Sequence, residues 1–571
     1  SVFYPFTISQ DDGYDPELFA ELKQNDGRGS TSGMVNFMRE LQDLELTYLR
    51  KLLLHTNPHT GLRYVDDPAL AVLEVQNEDC IFWHSPLNTL AANTPPKHAQ
   101  RLRQLWCGWV RETYGSGQAV KEAWGGLRQG ESLADGELAL YAAWEMTASG
   151  PKQNPREKKR LGDFVHFLTD LQRGFYGRRE KELRGIGYKA VTVTTAWRAG
   201  GPAADPANLY CDTAMDMIDR HNYLGGGAGG HRIGLGKVNT ESHLAQPGSG
   251  ILASGMYQVE NQPFAMTEWT SSPPNQWKLE IAPLFAFYGM GLQGWDASYH
   301  FLNFHIRIGD GWPDLGSYVT DTPHYIGQFP AIAFALHHRH VIEAPIAAGR
   351  RVRRDDLFLG IDALSQDFSG GGYDAKALQG NLATPMEALA IGRVTTRFDG
   401  GASERVDLDS YWDRQTKVVR SMTGQLVWDY GRQVVTVRTP KTQAIIGRAG
   451  RGTFDLPGVR VAVTTPFVSL IFTPLDNADL VESRHILITA MAQDKQTESR
   501  YNADGTELQV IGGPPLLMEP VQAAIRLKGI PPKHITALDV YGVPTNREVS
   551  ITNGVFVIDG RYRTYYYEVR R

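Results

Sequence analysis

Up to about residue 340 the chain alternates strand-like apolar runs with helical patterns; beyond it, convincing helices are few. That change limits the fold more than any other feature. VFYPFTI (2–8) reads as a strand, and residues 34–55 place Phe37, Leu41, Leu44, Tyr48 and Leu52 at helical spacing. ALAVLEV (69–75), YKAVTVTTAW (188–197), AMDMIDRHNY (214–223), PFAMTEW (263–269) and GLQGWDA (291–297) are further strands. Residues 96–186 are mainly helical, and EIAPLFAFYGMGL precedes the last of these strands. Strand, helix, strand with loops at strand C-termini predicts an α/β fold, a TIM-type (β/α)8 barrel over residues 1–340 with a helical insertion at about 96–186. After residue 341, short β-branched strands such as RQVVTVRT, GVRVAVTT and RHILITAMA recur between Gly, Asp and Pro turns. They predict an all-β sandwich over 341–510, and the Pro-rich GGPPLLMEP (512–520) marks off a small β domain over 511–571.

A chain of 571 residues exceeds what one compact core holds. Its net charge of −5 argues against a nucleic-acid surface, which needs a basic excess. No uninterrupted apolar run approaches the ~20 residues of a membrane span. Cys80, Cys107 and Cys211 are too few and too scattered for a disulfide framework or a zinc knuckle, and read as small buried hydrophobes.

Two segments set a glutamate just past an apolar run: LEVQNED with Glu78 and PFAMTEW with Glu268. A carboxylate is costly at such a position unless it has a partner or a task. Parallel barrels gather strand C-termini on one face, so both acids are expected there. Two carboxyls across a sugar-sized cleft are what glycoside hydrolysis requires. One donates a proton to the leaving oxygen and the other, ionised, attacks the anomeric carbon.

With its Asn77–Glu78 pair ending one strand and Glu268 another, the sequence resembles the retaining clan of (β/α)8 glycoside hydrolases, which includes cellulase-like, β-galactosidase-like and agarase-like families. The resemblance covers roughly residues 1–340. It implies Glu78 as general acid/base, Glu268 as nucleophile, Asn77 on the sugar 2-hydroxyl, and His221 or Tyr223 orienting the nucleophile. It also implies Trp295 as an aromatic floor beneath the sugar, with Trp83, Trp197 and Trp269 as further platforms. The expected activity is cleavage of a β-linked poly- or oligosaccharide by double displacement, with carboxyl groups about 5–5.5 Å apart and no metal or organic cofactor. The rival readings are a non-catalytic carbohydrate-binding barrel and a transglycosylase.

In that clan the Asn-Glu pair ends strand four, yet only one clear strand and one clear helix precede Glu78. Residues 2–8 then count as strand three, and the first two strand–helix units are expected on a separate N-terminal chain or fragment that completes the barrel. The start at Ser1, without a basic or apolar leader, reads as processed or truncated, and the expected location is extracellular or periplasmic. The insertion at 96–186 is long enough to wall the cleft or to build a contact in a homo-oligomer.

Other signals carry less. GGGAGGHRIGLGKV (225–238) fails as a phosphate loop, because His231 stands where a glycine is required and Val238 where Ser or Thr is. It reads instead as a flexible loop beside the active site. HHRH (337–340) lacks a patterned carboxylate or Cys for a metal, and GRRVRRDD (349–356) is a solvated, charge-balanced turn.

Overall fold

The computed structural model describes residues 6–146, 155–196, 204–302, 308–312, 316–318, 321–358 and 384–571, with the side chains of 155–156 excepted. Five parallel strands organise the first part: β1 (Val72–Glu74), β2 (Val191–Val193), β3 (Ile218–Gly225), β4 (Phe264–Ser272) and β5 (Ala297–His300). β1 pairs with β2, β3 with β4, and β4 with β5, all parallel. A single parallel bridge from Val193 to Met217 joins the two groups. β3 and β4 are buried along almost their whole length, as expected of parallel strands covered on both faces.

Side chains alternate between the faces. On one face, Val72, Val193, Met217 and Ala265 form a small apolar cluster. On the other, Leu73 and Val75 pack into a core with Leu41 of α1 (Arg39–Leu54), Trp106 of α2 (Pro96–Tyr114) and Phe167 of α3 (Pro155–Gly185). Ile218, Met266 and Trp269 join a second core shared with Trp428 and Ile471 of the C-terminal half. α2 and α3 fall between β1 and β2, where the insertion was expected.

Among the described residues the five strands do not close into a barrel. Of the strand expected at 2–8, the described part does not join the parallel sheet. Thr7–Ile8 pairs antiparallel with Gly29–Ser30, and residues 1–5 lie outside the described set. The pairing depends on Gly29, where a Cβ would stand 2.9 Å from Ile8 Cγ1. The strand expected at 291–297 is also shifted. A helical turn runs through Leu292 and the strand covers Ala297–His300.

The C-terminal half holds a ten-stranded and a five-stranded antiparallel sheet. Between them lies an apolar core including Ile445, Val461, Leu470, Ile488, Ile525 and Phe556. Strand Val459–Val463 shows the physical rule directly, with buried valines alternating with exposed Arg460 and Ala462. Tyr566–Arg570 inserts between His485–Ala492 and His534–Leu538, while Ala523–Leu527 and Val555–Ile558 belong to the smaller sheet. Residues 511–571 therefore complete the sheets of the preceding segment, and the expected boundary at 511 has no counterpart in the strand pairing.

The halves are locked by a buried ionic cluster. Asp494 accepts from Lys278 Nζ and from His324 Nδ1, the latter at 2.5 Å, and all three side chains are at most 2% exposed. No helix among the described residues is long and apolar enough to cross a membrane.

Candidate active site

The turn after β1 carries Glu78 and is held from several sides. Asp79 accepts the Gly33 amide at 2.9 Å, Gln76 donates to Asn36 Oδ1 at 3.0 Å, and Gln172 of α3 accepts the Ile81 amide at 2.8 Å. Glu78 itself sits at φ +47°, in the left-handed region that disfavours a side chain with a Cβ. Its amide donates to Thr195 O at 2.9 Å. One residue on, Ala196 is also left-handed, at φ +55°, and its carbonyl accepts the His221 amide at 2.8 Å. Two strained residues thus tie the turn after β1 to the segment after β2, and that segment to the middle of β3, at the point where the acids emerge.

Glu268 reaches the same place through a bulge in β4. Arg220 pairs with Met266, but His221 pairs with Glu268, leaving Thr267 as the extra residue. Met266 and Trp269 pack in the outer core, so the extra residue lets Thr267 and Glu268 both turn toward the face carrying Asp219, His221 and Tyr223.

A carboxylate oxygen of Glu78, one of Glu268 and a ring nitrogen of His221 all lie within 4.8 Å of one another. His221 is fully buried, whereas the Glu78 and Glu268 side chains remain 28% and 16% exposed, so both acids reach solvent over an imidazole that does not. His221 Nδ1 is 2.7 Å from Glu78 Oε1 and 3.5 Å from Glu268 Oε2. The first is a hydrogen bond and the second too long to be a good one. Tyr223 OH donates to Glu268 Oε2. Burial and the charge of Glu268 push the phenol well above its usual range, keeping it a donor. A donor on the charged form favours the carboxylate.

Beneath the pair lies a second tier. His221 Nε2 is 3.0 Å from Thr267 Oγ1, and the Thr267 hydroxyl donates to Asp219 Oδ2. The Thr267 amide donates to Asp219 Oδ1 at 3.1 Å. Glu74 is 4% exposed, and its Oε1 has no hydrogen-bond partner among the described residues. Burial first, then the charges of Asp219, Glu268 and Glu78, push its carboxyl up to about 9. Burial likewise pushes Asp219 up to about 7, partly offset by the Thr267 hydrogen bonds. Glu74 and Asp219 also bring oxygens within 4.8 Å of a His221 nitrogen. Either carboxylate pair with His221 has a donor set a cation could use, but both ring nitrogens already have protein partners, Glu78 and Thr267.

The aromatic expectations fare differently. Trp295 is 3% exposed, packed against Phe264 and Phe285, with Gly289 so close that a Cβ there would stand 2.6 Å from the ring. Trp269 is 2% exposed and stacks on Phe285 at 4.1 Å between centroids. Both are core residues and neither offers a face to a sugar, because the outward side of β4 and the segment after it point into the seam with the C-terminal half. Trp83 is half-buried at the start of a helix, stacked on His84. Trp197 lies outside the described residues. The aromatic groups beside Tyr223 are instead Tyr318, 4.7 Å away between ring centroids, and Phe301, 5.9 Å away. Neither sits in a periodic pattern that would single it out. Asn77 is half-buried beside Glu78, and its Oδ1 has no partner among the described residues.

The glycine-rich segment is ordered by backbone contacts rather than left loose. The Ala228 amide donates to Lys237 O at 2.8 Å, and Gly236–Lys237 pairs with Glu507–Leu508 of the C-terminal half. A Cβ at Gly229 would stand 2.0 Å from Arg232 O, so glycine there serves a tight chain crossing.

The chain is similar to solved structures of glycoside hydrolases. An exo-beta-agarase matches at 10% identity over 59% of this chain and 42% of that one, with a TM-score of 0.34. The beta-galactosidase of the psychrophilic Marinomonas ef1 matches at 11% identity over 60% and 52%, with a TM-score of 0.34. That of the Antarctic haloarchaeon Halorubrum lacusprofundi matches at 14% identity over 56% and 44%, with a TM-score of 0.33. The chain thus spans about half the length of these proteins. No protein-family profile and no curated protein matches the sequence.

Proposed function

We propose that the protein is a retaining glycoside hydrolase acting on a β-linked poly- or oligosaccharide, with Glu268 as nucleophile and Glu78 as general acid/base. The observation that carries this reading is the approach of two solvent-reaching carboxylates to within 4.8 Å over one buried histidine. That approach of their nearest oxygens supports the closely spaced pair of a retaining enzyme over the wider pair of an inverting one, whose carboxyls stand ~6.5–9.5 Å apart.

The surroundings support unequal roles. Tyr223 donates to Glu268 and favours its anion, as a nucleophile requires. In the first step Glu268 attacks the anomeric carbon while Glu78 protonates the departing oxygen. In the second Glu78 removes a proton from water, which displaces Glu268. Asn77 Oδ1, buried and unpartnered among the described residues, is an acceptor for a sugar hydroxyl, and Tyr318 and Phe301 take the platform role expected of Trp295 and Trp269.

The test is a polysaccharide panel containing agar, carrageenan, β-galactan, β-mannan and cellulose, assayed for new reducing ends with the wild type and Glu268→Gln. The proposal expects release from at least one polymer, lost in the variant, which still binds that polymer in a pull-down. A variant as active as the wild type overturns the assignment, and so does a wild type inert on every polymer.

A further inference from the structure

His221 can present either a proton or a lone pair to Glu78, and which one it presents is settled by groups that touch neither carboxylate of the reacting pair. Asp219 Oδ1 accepts the Thr267 amide at 3.1 Å, and Asp219 Oδ2 accepts the Thr267 hydroxyl. The hydroxyl has only one hydrogen. Once that hydrogen points at Asp219, Thr267 Oγ1 can only accept from His221 Nε2, 3.0 Å away. A neutral imidazole with its proton on Nε2 has a lone pair on Nδ1, the atom 2.7 Å from Glu78 Oε1.

We propose that Asp219 and Thr267 are positioning residues that fix the Nε2–H tautomer of His221, so that Nδ1 accepts a hydrogen bond from the protonated form of Glu78. This deepens the reading of Glu78 as general acid and rests on it for its catalytic meaning. The Glu78 proton rests on Nδ1 as a hydrogen bond until it turns to the departing oxygen in the first step, and the Glu78 O–H returns to Nδ1 once that residue has taken a proton from water; the ring stays neutral throughout. The same lone pair explains why Glu268, 3.5 Å from Nδ1, draws its donor from Tyr223 instead. The bulge makes the relay: without the extra residue in β4, Thr267 could not face Asp219 and His221 while Glu268 also faced the cleft.

The amide end of the chain makes a sharp test available. In Asp219→Asn the Thr267 amide still demands an oxygen at the Oδ1 position. The new NH2 therefore takes the Oδ2 position and donates to Thr267 Oγ1. The Thr267 hydrogen then turns to His221 Nε2, which must accept it, and the ring proton moves to Nδ1. The substitution is predicted to reverse the tautomer and confront Glu78 with a donor, the wrong partner for an acid proton.

The experiment is two-dimensional NMR of full-length protein labelled with 15N-histidine, at about pH 8, above the usual histidine range. His221 is assigned by loss of its signals in His221→Gln. At that pH Asp219, pushed up to about 7 by burial, is the acceptor the relay needs. The wild type is expected to show a protonated Nε2 and a bare Nδ1, and Asp219→Asn the reverse. Thr267→Val should abolish the preference, Thr267→Ser should keep it, and Asp219→Asn should have no further effect on the ring in the Thr267→Val background. A wild-type ring protonated at Nδ1, or a Thr267→Val ring indistinguishable from wild type, overturns the inference. If Asp219→Asn does not fold, the Thr267 pair decides alone. None of these readings needs turnover. A relay as predicted in a protein inert on the polymer panel fails the functional reading alone, and the opposite tautomer in an active enzyme fails this inference alone.

Discussion

The parallel sheet and the C-terminal sandwich use similar lengths of chain in opposite ways. In the sandwich the inner positions of both sheets are apolar and fully buried, from Ile445 through Val461, Leu470 and Ile488 to Ile525. In the parallel sheet, β3 alone buries Asp219, Arg220, His221 and Asn222, and β1 ends on the buried Glu74. Left-handed backbone without glycine stands at Glu78 and Ala196, next to the acids. The sandwich converts sequence into packing. The sheet concentrates groups that burial disfavours, and the sandwich and helices that enclose it supply the stability to hold them there.

The largest expected effect separates chemistry from packing. Glu268→Gln should lower turnover by ~10⁴-fold or more, the scale of losing a nucleophile, while its thermal midpoint stays near wild type. A variant that loses both would mean Glu268 is a structural group like those of the sandwich.

Next is the seam between the halves. Asp494 is held well below the usual carboxylate range by His324 and Lys278, despite the opposing effect of burial. Asp494→Ala leaves the buried Lys278 ammonium without its counter-charge and should cost about 3–5 kcal/mol in urea unfolding. A depressed carboxyl contributes above its unfolded pKa and loses that contribution as pH falls toward its folded value. The wild type should therefore lose this contribution below about pH 4, and the variant should have none to lose there.

Glu74 carries the opposite sign. Its carboxyl is raised from 4.5 to about 9, so the folded state binds its proton more tightly than the unfolded chain does. Its stabilising contribution is complete below pH 4.5 and declines as pH rises toward 9. Glu74→Gln, a permanent neutral mimic, should be more stable than wild type at alkaline pH, by about 4–5 kcal/mol at about pH 8, with the difference vanishing near pH 4. Thermal midpoints across that range measure it. A constant offset would mean that Glu74 does not ionise on unfolding as described.

The smallest effect concerns the backbone. Ala196→Gly removes the Cβ penalty at φ +55° and should stabilise by about 1 kcal/mol, with no loss of turnover. A destabilised variant would show that the left-handed turn costs less than the freedom glycine adds to the unfolded chain.

The four polar groups that meet around the two acids were legible because each stands at the end of a strand-like run: Glu78 after LEVQN, Glu268 after PFAMT, and His221 and Tyr223 two apart on one face. What was not legible was the bulge. Strict alternation puts Thr267 and Trp269 on one face and Glu268 on the other. The extra residue instead turns Thr267 and Glu268 inward and buries Trp269 against Phe285. The same blindness hid Asp219, an acid inside a strand that only acquires a role once Thr267 faces it. Glu74 sits in the very run that leads to Glu78, but nothing in the letters says that its side chain stays buried beside Asp219 and His221. Tyr318 and Phe301 reach Tyr223 from segments without periodic pattern. Trp295 misled because a tryptophan after a strand fits a platform and a core equally well, and here the C-terminal half closes over it. The sandwich was easier to read, since period-two burial is written directly in segments such as VRVAV. Its boundary at 511 was not, because a Pro-rich turn does not reveal that the last strand returns to pair with His485–Ala492.

The central claim is that two acids flanking one glycosidic bond carry out two successive displacements, and the anomeric form of the first product reports this directly. Time-resolved proton NMR of the reducing end released from the β-linked polymer cleaved in the panel should show the β anomer first, with α appearing only by mutarotation. Initial release of the α anomer would contradict the account, because a single displacement by water inverts where two displacements retain.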